Sequence, residues 1–265
     1  MASHSGALRG PAVRVRDLNR SFNRAGGVLN GLDLDIAAGE FVALLGRSGS
    51  GKSTLLRALA GLDRDVAGHG SVRVPAQVSV VFQDSRLLPW RRILDNVVLG
   101  LPGRDAREAG RTALAEVGLE GRERAWPHEL SGGEAQRAAL ARSLVREPRL
   151  LLADEPFGAL DALTRIKMHA LLKQLCAAHR PAVLLVTHDV DEAIVLADRV
   201  IVLDDGVIAS DITVDLGPER RPGDPRFAAL RSHLLTELGV ASADQAAADQ
   251  APAPQSDDSP IRKAS

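Results

Sequence analysis

The sequence predicts an α/β domain built around a mainly parallel β-sheet. Short strand-like runs alternate with stretches whose apolar residues recur at helical spacing, the order typical of βαβ units. The runs in the second half of the chain are apolar almost throughout, as expected of parallel strands that helices cover on both faces. The length of 265 residues suits one compact domain with a small subdomain.

Six segments are predicted as strands because they are short and rich in apolar residues. They are residues 13–18, 41–45, 78–82, 150–153, 182–187 and 200–203. The pair Asp205-Gly206 stands between the last of them and residues 207–208, and such a pair is a hairpin signal.

Five segments carry apolar residues at helical spacing and are predicted as helices: 53–60, 105–117, 131–145, 163–178 and 189–197. From about residue 85 to residue 129 the chain contains helical segments, three prolines and no convincing strand. We therefore expect a small helical insert between two parts of one sheet.

Composition excludes several classes of protein. With 45% hydrophobic and 25% charged residues the chain can bury a sizeable core, and its net charge of −1 supplies no overall field for nucleic acid or anionic lipid. Cys176 is the single cysteine, which excludes a disulfide framework. No apolar run approaches the roughly eighteen residues of a membrane helix. Residues 1–11 lack the apolar core of a secretory signal, and we expect 1–11 and 240–265 to be disordered.

The strongest motif is a phosphate-binding loop at residues 46–53. Its sequence, Gly-Arg-Ser-Gly-Ser-Gly-Lys-Ser, lies directly after a predicted strand and directly before a predicted helix. Glycines let backbone N–H groups approach phosphate closely, Lys52 supplies a compact positive charge, and Ser53 can ligate Mg²⁺. The alternative is a glycine loop without a ligand.

Two carboxylates end the apolar strand at residues 150–153. Asp154 and Glu155 stand at its carboxyl end, where α/β sheets bind ligands. Asp154 can hold the water shell of Mg²⁺, and Glu155 can serve as the base for an attacking water. The alternative is a solvated acidic turn.

A third motif, Leu-Ser-Gly-Gly-Glu, occupies residues 130–134 before a predicted helix. Ser131 and Glu134 form a capping box, which explains these two residues. It does not explain two adjacent glycines, since each lowers helix propensity by about 1 kcal/mol. Bare amides at a helix N-terminus suit a second anion, so the chain contains two candidate phosphate-binding helix ends.

Six motifs in this order and spacing resemble the ATP-binding subunits of ABC transporters, over about residues 13–231. They are the phosphate loop, Gln83 after a strand, residues 130–134, the Asp154-Glu155 strand end, residues 159–161 and Thr187-His188-Asp189. The resemblance implies a P-loop NTPase fold with an antiparallel β subdomain and the helical insert at about 85–129. It divides the chain into residues 1–11, an ATP-binding domain at 12–232, and a helix end with a disordered tail at 233–265.

The resemblance also assigns roles to individual residues. In this family two copies face head to tail, so that ATP on the phosphate loop of one copy is closed over by Ser131 and Gly133 of the other, while Asp161 links the two sites. The nucleotide-binding residues implied are Phe22, Gly46, Arg47, Ser48, Gly49, Ser50, Gly51, Lys52, Ser53, Thr54, Ser131, Gly133 and Asp161. The catalytic residues implied are Glu155, His188, Gln83 and Lys52, and the Mg²⁺ ligands are Ser53, Gln83 and Asp154.

Simpler interpretations stay open for three of these residues. Phe22, which resembles the aromatic residue that stacks on adenine, could belong to the core. Gln83 could be an ordinary amide at a strand end. His188 taken alone would be a histidine that flanks the helix capped by Asp189.

Further segments resemble the nitrate, sulfonate and taurine importer branch of the family, and most of all the ATP-binding subunits of aliphatic sulfonate importers. These segments are residues 82–90, 126–127, 158–165 and 220–225. Because this subunit never touches the solute, the substrate assignment rests on association alone. Taurine, nitrate or another small organic anion is the alternative.

The expected partners are a second copy of the chain, a transmembrane permease and, indirectly, a periplasmic or lipoprotein solute-binding protein, but no nucleic acid. The chain is then peripheral at the cytoplasmic face of the cell membrane. We expect apolar residues at 87–90, among them Trp90, and at 93–101 to be exposed and to receive the permease. The alternative is that they form the insert's own core. A non-transport ABC ATPase and a P-loop kinase are the remaining functional alternatives.

Overall fold

A six-stranded sheet forms the centre of the molecule in the computed structural model, which describes residues 11–21, 27–217 and 219–240. Its strands are β3 (Phe41–Gly46), β5 (Val78–Phe82), β6 (Leu150–Asp154), β7 (Ala182–Val186), β8 (Arg199–Asp204) and β9 (Val207–Thr213). They are arranged in the order β5-β6-β7-β3-β8-β9, and β9 alone pairs antiparallel to its neighbour. The predicted α/β class with a mainly parallel sheet is confirmed.

The hairpin signal between β8 and β9 is also confirmed. Asp205 and Gly206 have φ angles of 43° and 80°, the left-handed pair that a tight type I′ turn requires. The second strand continues to Thr213, five residues beyond the segment that the sequence indicated.

A second, three-stranded sheet is antiparallel, in the order β2-β1-β4. It consists of β1 (Val13–Ser21), β2 (Leu29–Ile36) and β4 (Ala67–Arg73), of which only the first was located from the sequence. The residues of β4 are nearly all exposed and include two glycines, so they carry no apolar alternation. A Cβ on Gly68 would lie 2.0 Å from the carbonyl oxygen of Asn19. The strand exists because β1 offers a ladder to pair with.

Helices cover both faces of the larger sheet. The helices are α1 (Lys52–Leu59), α5 (Ala162–His179), α6 (Val190–Leu196) and α7 (Pro225–Glu237). The bounds of the first three lie within one residue of the prediction. The prediction placed only a helix end after residue 232 and missed where α7 begins, although Asp224 caps it and Pro225 opens it, a recognisable start signal.

The segment between β5 and β6 is helical. It contains α2 (Ile93–Val97), α3 (Ala106–Glu116), a 3₁₀ helix (Pro127–Glu129) and α4 (Gly132–Leu144), and α2, α3 and α4 pack on one another. The exposure expected for residues 93–101 is wrong for Ile93, Leu94 and Val97, which are buried in the main core because the apolar face of α2 packs inward. Leu87 packs against the same core, whereas Trp90 is 70% exposed.

Side chains of the parallel strands alternate between two cores. Phe41, Ala43 and Leu45 of β3 join the core beneath the helical layer, while Val42 and Leu44 join the core beneath the smaller sheet. Burial on both faces explains why these strands are apolar throughout. The expected disorder of the chain ends falls mainly on residues 1–10 and 241–265, which lie outside the described residues. Among the helices that the structure describes, none is sufficiently long and apolar to cross a membrane.

Candidate active site

The loop between β3 and α1 wraps around the side chain of Lys52. This ammonium is buried, and its Nζ donates hydrogen bonds to the carbonyl oxygens of Gly46 at 2.7 Å and Arg47 at 2.8 Å. Burial lowers the pKa of Lys52, and the negative charges of Glu155 and Asp154 oppose that shift. A positive side chain at a helix N-terminus favours an anion in this loop.

Glycine is required at Gly51, where the loop passes close to the rest of the chain. Gly51 has a φ of +105°, and a Cβ on it would lie 2.7 Å from the carbonyl oxygen of Val28. Gly49 has a φ of +85° and faces open space. Between them, the hydroxyl of Ser50 is buried without a hydrogen-bond partner in the part of the chain that the structure describes. Gly49 thus leaves the backbone of the loop open to approach, which fits a phosphate group.

A carboxylate and an imidazole meet at the ends of two neighbouring strands. Glu155 follows β6 with a φ of +46°, a left-handed conformation that is uncommon for a residue other than glycine. Its N–H donates a 2.9 Å hydrogen bond to the carbonyl oxygen of Val186, the last residue of β7. His188 comes two residues later, and its Nδ1 lies 3.3 Å from Oε2 of Glu155.

Asp154 is the last residue of β6 and is half-buried. Burial raises the pKa of its carboxyl group, and the charge of Glu155 adds to this effect. The positive charges of Arg57, Arg86 and Lys52 act in the opposite direction. The two arginines were not predicted as site residues, since they come from α1 and from the loop after Gln83 and belong to none of the motifs.

Gln83 lies directly after β5, where the sheet meets the helical layer. The preceding Phe82 pairs with Asp154 in the sheet, and its carbonyl oxygen accepts a 2.9 Å hydrogen bond from the buried amide of Gln136 on α4. A Cβ on Gly158 would lie 3.2 Å from Nε2 of Gln83, so this amide lies against the turn that follows Glu155. Gln83 thus lies beside the turn that follows Glu155, and its neighbour Phe82 is bonded to the N-terminal half of α4.

Residues 130–134 form the predicted capping box at the start of α4. The hydroxyl of Ser131 accepts from the N–H of Glu134, whose carboxylate accepts a 2.9 Å hydrogen bond from the N–H of Ser131. These hydrogen bonds hold the pKa of Glu134 below its ordinary value, and Arg122 and Arg137 add to the effect. Gly132 faces open space, and Ser131 is exposed.

The structure places Asp161 at the N-terminus of α5. Its carboxylate accepts a 2.9 Å hydrogen bond from the N–H of Thr164, and hydrogen bonding from the side chain and then the N–H of Thr164 lowers the pKa of the carboxyl group. The prediction that Phe22 stacks on adenine falls outside the described residues.

A cleft of about 550 Å³ brings part of the predicted site together. Gly46, Ser48, Gly49, residues 51–54, Glu155 and His188 line it. Seven of the predicted site residues that the structure describes do not line this cleft: Arg47, Ser50, Gln83, Ser131, Gly133, Asp154 and Asp161. Val28 lines it and was missed, because an isolated valine beside residues 22–26 carries no chemical signal in the sequence.

The chain matches the family model described as ABC transporter over residues 29–158. Two curated relatives match over most of both chains. The aliphatic sulfonates import ATP-binding protein SsuB 2 of Streptomyces avermitilis is 68% identical, covering 91% of this chain and 96% of that one. The protein of the same name from Nocardia farcinica is 70% identical, covering 86% of this chain and 95% of that one.

Two solved structures share the fold. The dimeric post-hydrolysis state of the ATP-binding cassette MJ0796, bound to ADP and Pi, is 31% identical with a TM-score of 0.67, covering 76% of this chain and 98% of that one. The structure of cbiO1 from Clostridium perfringens is 25% identical with a TM-score of 0.72, covering 86% of this chain and all of that one.

The chain therefore belongs to the ABC transporter family. Within that family it is similar to the ATP-binding proteins of aliphatic sulfonate import, which confirms the predicted importer branch.

Proposed function

We propose that this chain is the ATP-hydrolysing subunit of an importer for aliphatic sulfonates. The observation that carries the proposal is the cleft in which the Lys52 loop, Glu155 and His188 face one another. The transport role and the solute are inferred from the names of relatives that are 68% and 70% identical. A dedicated import protein needs a permease, and a solute-binding protein would deliver the sulfonate to it.

ATP hydrolysis would proceed by in-line attack of water on the γ-phosphorus, and the chain's own residues would assist this attack. The loop amides and Lys52 would hold the phosphates and stabilise the charge that develops on their oxygens. Glu155 would accept a proton from the attacking water, and His188, 3.3 Å from it, would contact the γ-phosphate and orient that water. The hydrolysis products would be ADP and phosphate.

Mg²⁺ fits the donor atoms at the site. Ser53, Gln83 and Asp154 offer a hydroxyl, an amide oxygen and a carboxylate, and hard oxygen donors are those that Mg²⁺ prefers. No group of three or more His, Cys, Asp or Glu in residues 11–21, 27–217 and 219–240 could hold a metal alone. The few oxygen donors of Ser53, Gln83 and Asp154 suit Mg²⁺, which keeps several waters and uses phosphate oxygens as ligands. When bound, it would neutralise charge on the β and γ oxygens.

A second copy would complete the site. Ser131 and Gly133 stand at the exposed start of α4 and do not line the cleft of their own chain. A related cassette of known structure is dimeric, which supports a head-to-tail pair in which each copy closes over the other's nucleotide. Asp161 would link the two sites across that pair.

The loop before α2 presents Trp90 for a permease. Asn96 is fully buried and ties this loop down: its amide oxygen accepts a 2.6 Å hydrogen bond from the N–H of Leu88, and its nitrogen donates to the carbonyl oxygens of Leu88 and Arg91. An exposed aromatic residue on a fixed loop is the kind of anchor that dominates protein interfaces. Docking here would place the chain at the cytoplasmic face of the membrane.

One experiment tests these assignments, with the full-length chain produced together with its permease and solute-binding protein in liposomes. We expect ATP hydrolysis that alkane sulfonates stimulate. Glu155→Gln should abolish turnover while retaining ATP in a stable dimer, because the amide cannot accept the proton. Trp90→Ala should separate the chain from the permease without loss of nucleotide binding.

Three results would contradict the proposal. Full turnover by Glu155→Gln would exclude Glu155 as the base. Unchanged copurification of Trp90→Ala with the permease would exclude the docking role of Trp90. Stimulation by taurine or nitrate, with none by unsubstituted alkane sulfonates, would reassign the solute.

A further inference from the structure

A buried polar cluster lies directly behind the Glu155-His188 pair. It consists of Thr187 at the end of β7, Glu192 on α6 and His169 on α5. The hydroxyl of Thr187 donates a hydrogen bond to Oε2 of Glu192, and Nε2 of His169 lies 2.9 Å from Oε1 of the same carboxylate. Glu192 is only 5% exposed. Both of its oxygens therefore have partners inside the protein.

A buried carboxylate at this position needs a reason, because removing such a group from water is costly even when it is hydrogen-bonded. The reaction proposed above uses Glu155 and His188 and gives Glu192 no role. The carboxylate does, however, determine which way the Thr187 hydroxyl points. That hydroxyl donates a hydrogen bond to Glu192 and accepts a 3.1 Å hydrogen bond from the N–H of Asp189.

These bonds fix the backbone on both sides of His188. Thr187 precedes it, and the N–H of Thr187 donates to the carbonyl oxygen of Leu44 at 3.2 Å. Asp189 follows it and accepts a 3.1 Å hydrogen bond from the N–H of Glu192 as the cap of α6. The side chain of His188 itself is 68% exposed and contacts Glu155. Its direction thus depends on its two neighbours in the chain.

The same cluster reaches the turn that carries Glu155. The ring of His169 meets the ring of Phe157 edge to face, with centroids 5.1 Å apart. Phe157 is buried two residues after Glu155, and the carbonyl oxygen of Glu155 accepts a 3.1 Å hydrogen bond from the N–H of Gly158. The left-handed backbone of Glu155 is strained and requires such support.

We infer that Thr187, Glu192 and His169 are positioning residues that hold His188 and Glu155 in the geometry needed for hydrolysis. This inference rests on the proposed function, because it assumes that those two side chains act on ATP. The cluster touches no substrate and acts through the backbone around His188. Catalytic groups misplaced by about 1 Å lose on the order of a hundredfold in rate, so the effect is measurable.

The test compares ATP hydrolysis by the full-length chain and its variants. Thr187→Val removes the hydroxyl while keeping the shape, and we expect kcat to fall about 10- to 100-fold with KM for ATP changed less than about twofold. Thr187→Ser restores the hydroxyl and should restore kcat. Glu192→Ala should lower kcat similarly, whereas Asp191→Ala, its neighbour on α6 that pairs with Arg231 instead, should not.

A double variant separates positioning from general destabilisation. In a His188→Ala background, Thr187→Val should lower kcat by less than about twofold further, since the Thr187 hydroxyl acts on His188 while the contact with the turn of Glu155 runs through His169 and Phe157. Melting temperatures of all variants are measured alongside.

The inference is overturned by a Thr187→Val enzyme with unchanged kcat, by a failure of Thr187→Ser to restore it, or by losses that multiply in the double variant. In each of these cases a wild-type chain that hydrolyses ATP and a Glu155→Gln chain that does not would leave the proposed function standing. A wild-type chain without ATPase activity, or an active Glu155→Gln chain, would overturn the function and this inference together.

Discussion

Cys176 on α5 is a thiol whose surroundings keep it protonated. Burial raises its pKa to about 12, and the charge of Asp198 acts in the same direction. Because the thiolate is the reactive form, at pH 8 iodoacetamide should label the folded chain at most about a thousandth as fast as a free thiol. Mass spectrometry of timed samples, with and without urea, measures this ratio.

The same shift predicts how stability depends on pH. The folded state binds the thiol proton more tightly than the unfolded state does, so this contribution to stability is fully present below the unfolded pKa of about 8.5 and is lost as pH rises toward 12.

The labelling experiment has a control: Ser232→Cys in a Cys176→Ala background places a thiol at an exposed position of α7. Equal labelling rates for the two thiols would contradict the prediction.

At the scale of single residues, motif chemistry located the parts of the site that use side chains of a fixed type at a fixed spacing. Lys52 and Glu155, which the motifs indicated, and His188, which the family resemblance indicated, line one cleft. The cluster of Thr187, Glu192 and His169 was not found, since its members are 5 and 18 residues from Thr187 and meet only through packing of α5 and α6. No short-range pattern encodes such a meeting.

At the scale of elements, the pairing of β1 with β4 depends on a glycine that touches the opposite backbone. Gly70 has a φ of +98°, and a Cβ there would lie 2.2 Å from the carbonyl oxygen of Asp17. Gly103 has nearly the same φ, +102°, but faces open space. A Cβ at either position therefore strains the backbone, but only at Gly70 would it also collide with the backbone of β1.

We expect Gly103→Ala to lower the free energy of unfolding by about 1–2 kcal/mol through strain alone. Gly70→Ala should cost about 1–3 kcal/mol more, because the strand must also move away from β1. Urea denaturation of both variants measures the difference. Equal losses would show that the collision is relieved without cost and would contradict the assigned role of Gly70.

Burial and strand pairing explain which elements could be predicted from the sequence. Strands buried on both faces, such as β6 and β7, are apolar throughout and were located to within one residue. The exposed β4 was missed because its pairing comes from β1 and not from its own apolar residues. For α7 the sequence did carry a start signal, in Asp224 and Pro225, which was taken only as part of a family motif.

At the scale of the whole molecule, the start of α4 permits a test of the two-copy site. Aspartate is as good an N-cap as serine, so Ser131→Asp should keep the helix start while placing a negative charge where the partner's ATP would lie. In a Glu155→Gln background we expect it to abolish ATP-induced dimers and to leave ATP binding by the monomer unchanged. Size-exclusion chromatography with light scattering measures the mass.

Ser131→Asn is the matched control, since asparagine also caps helices and adds no charge. It should still dimerise with ATP. Dimerisation of the aspartate variant at unchanged ATP concentration would contradict the composite site.

The separation of the ATP cleft from the start of α4 within one chain also affects how the cell uses ATP. The cleft that would hold ATP is lined by the Lys52 loop, Glu155 and His188, and the exposed start of α4 takes no part in it. A copy that has been synthesised but has not reached its partner would therefore hold nucleotide without turning it over. Unpaired copies would leave the ATP pool intact, and consumption would scale with paired copies rather than with the total amount of this protein.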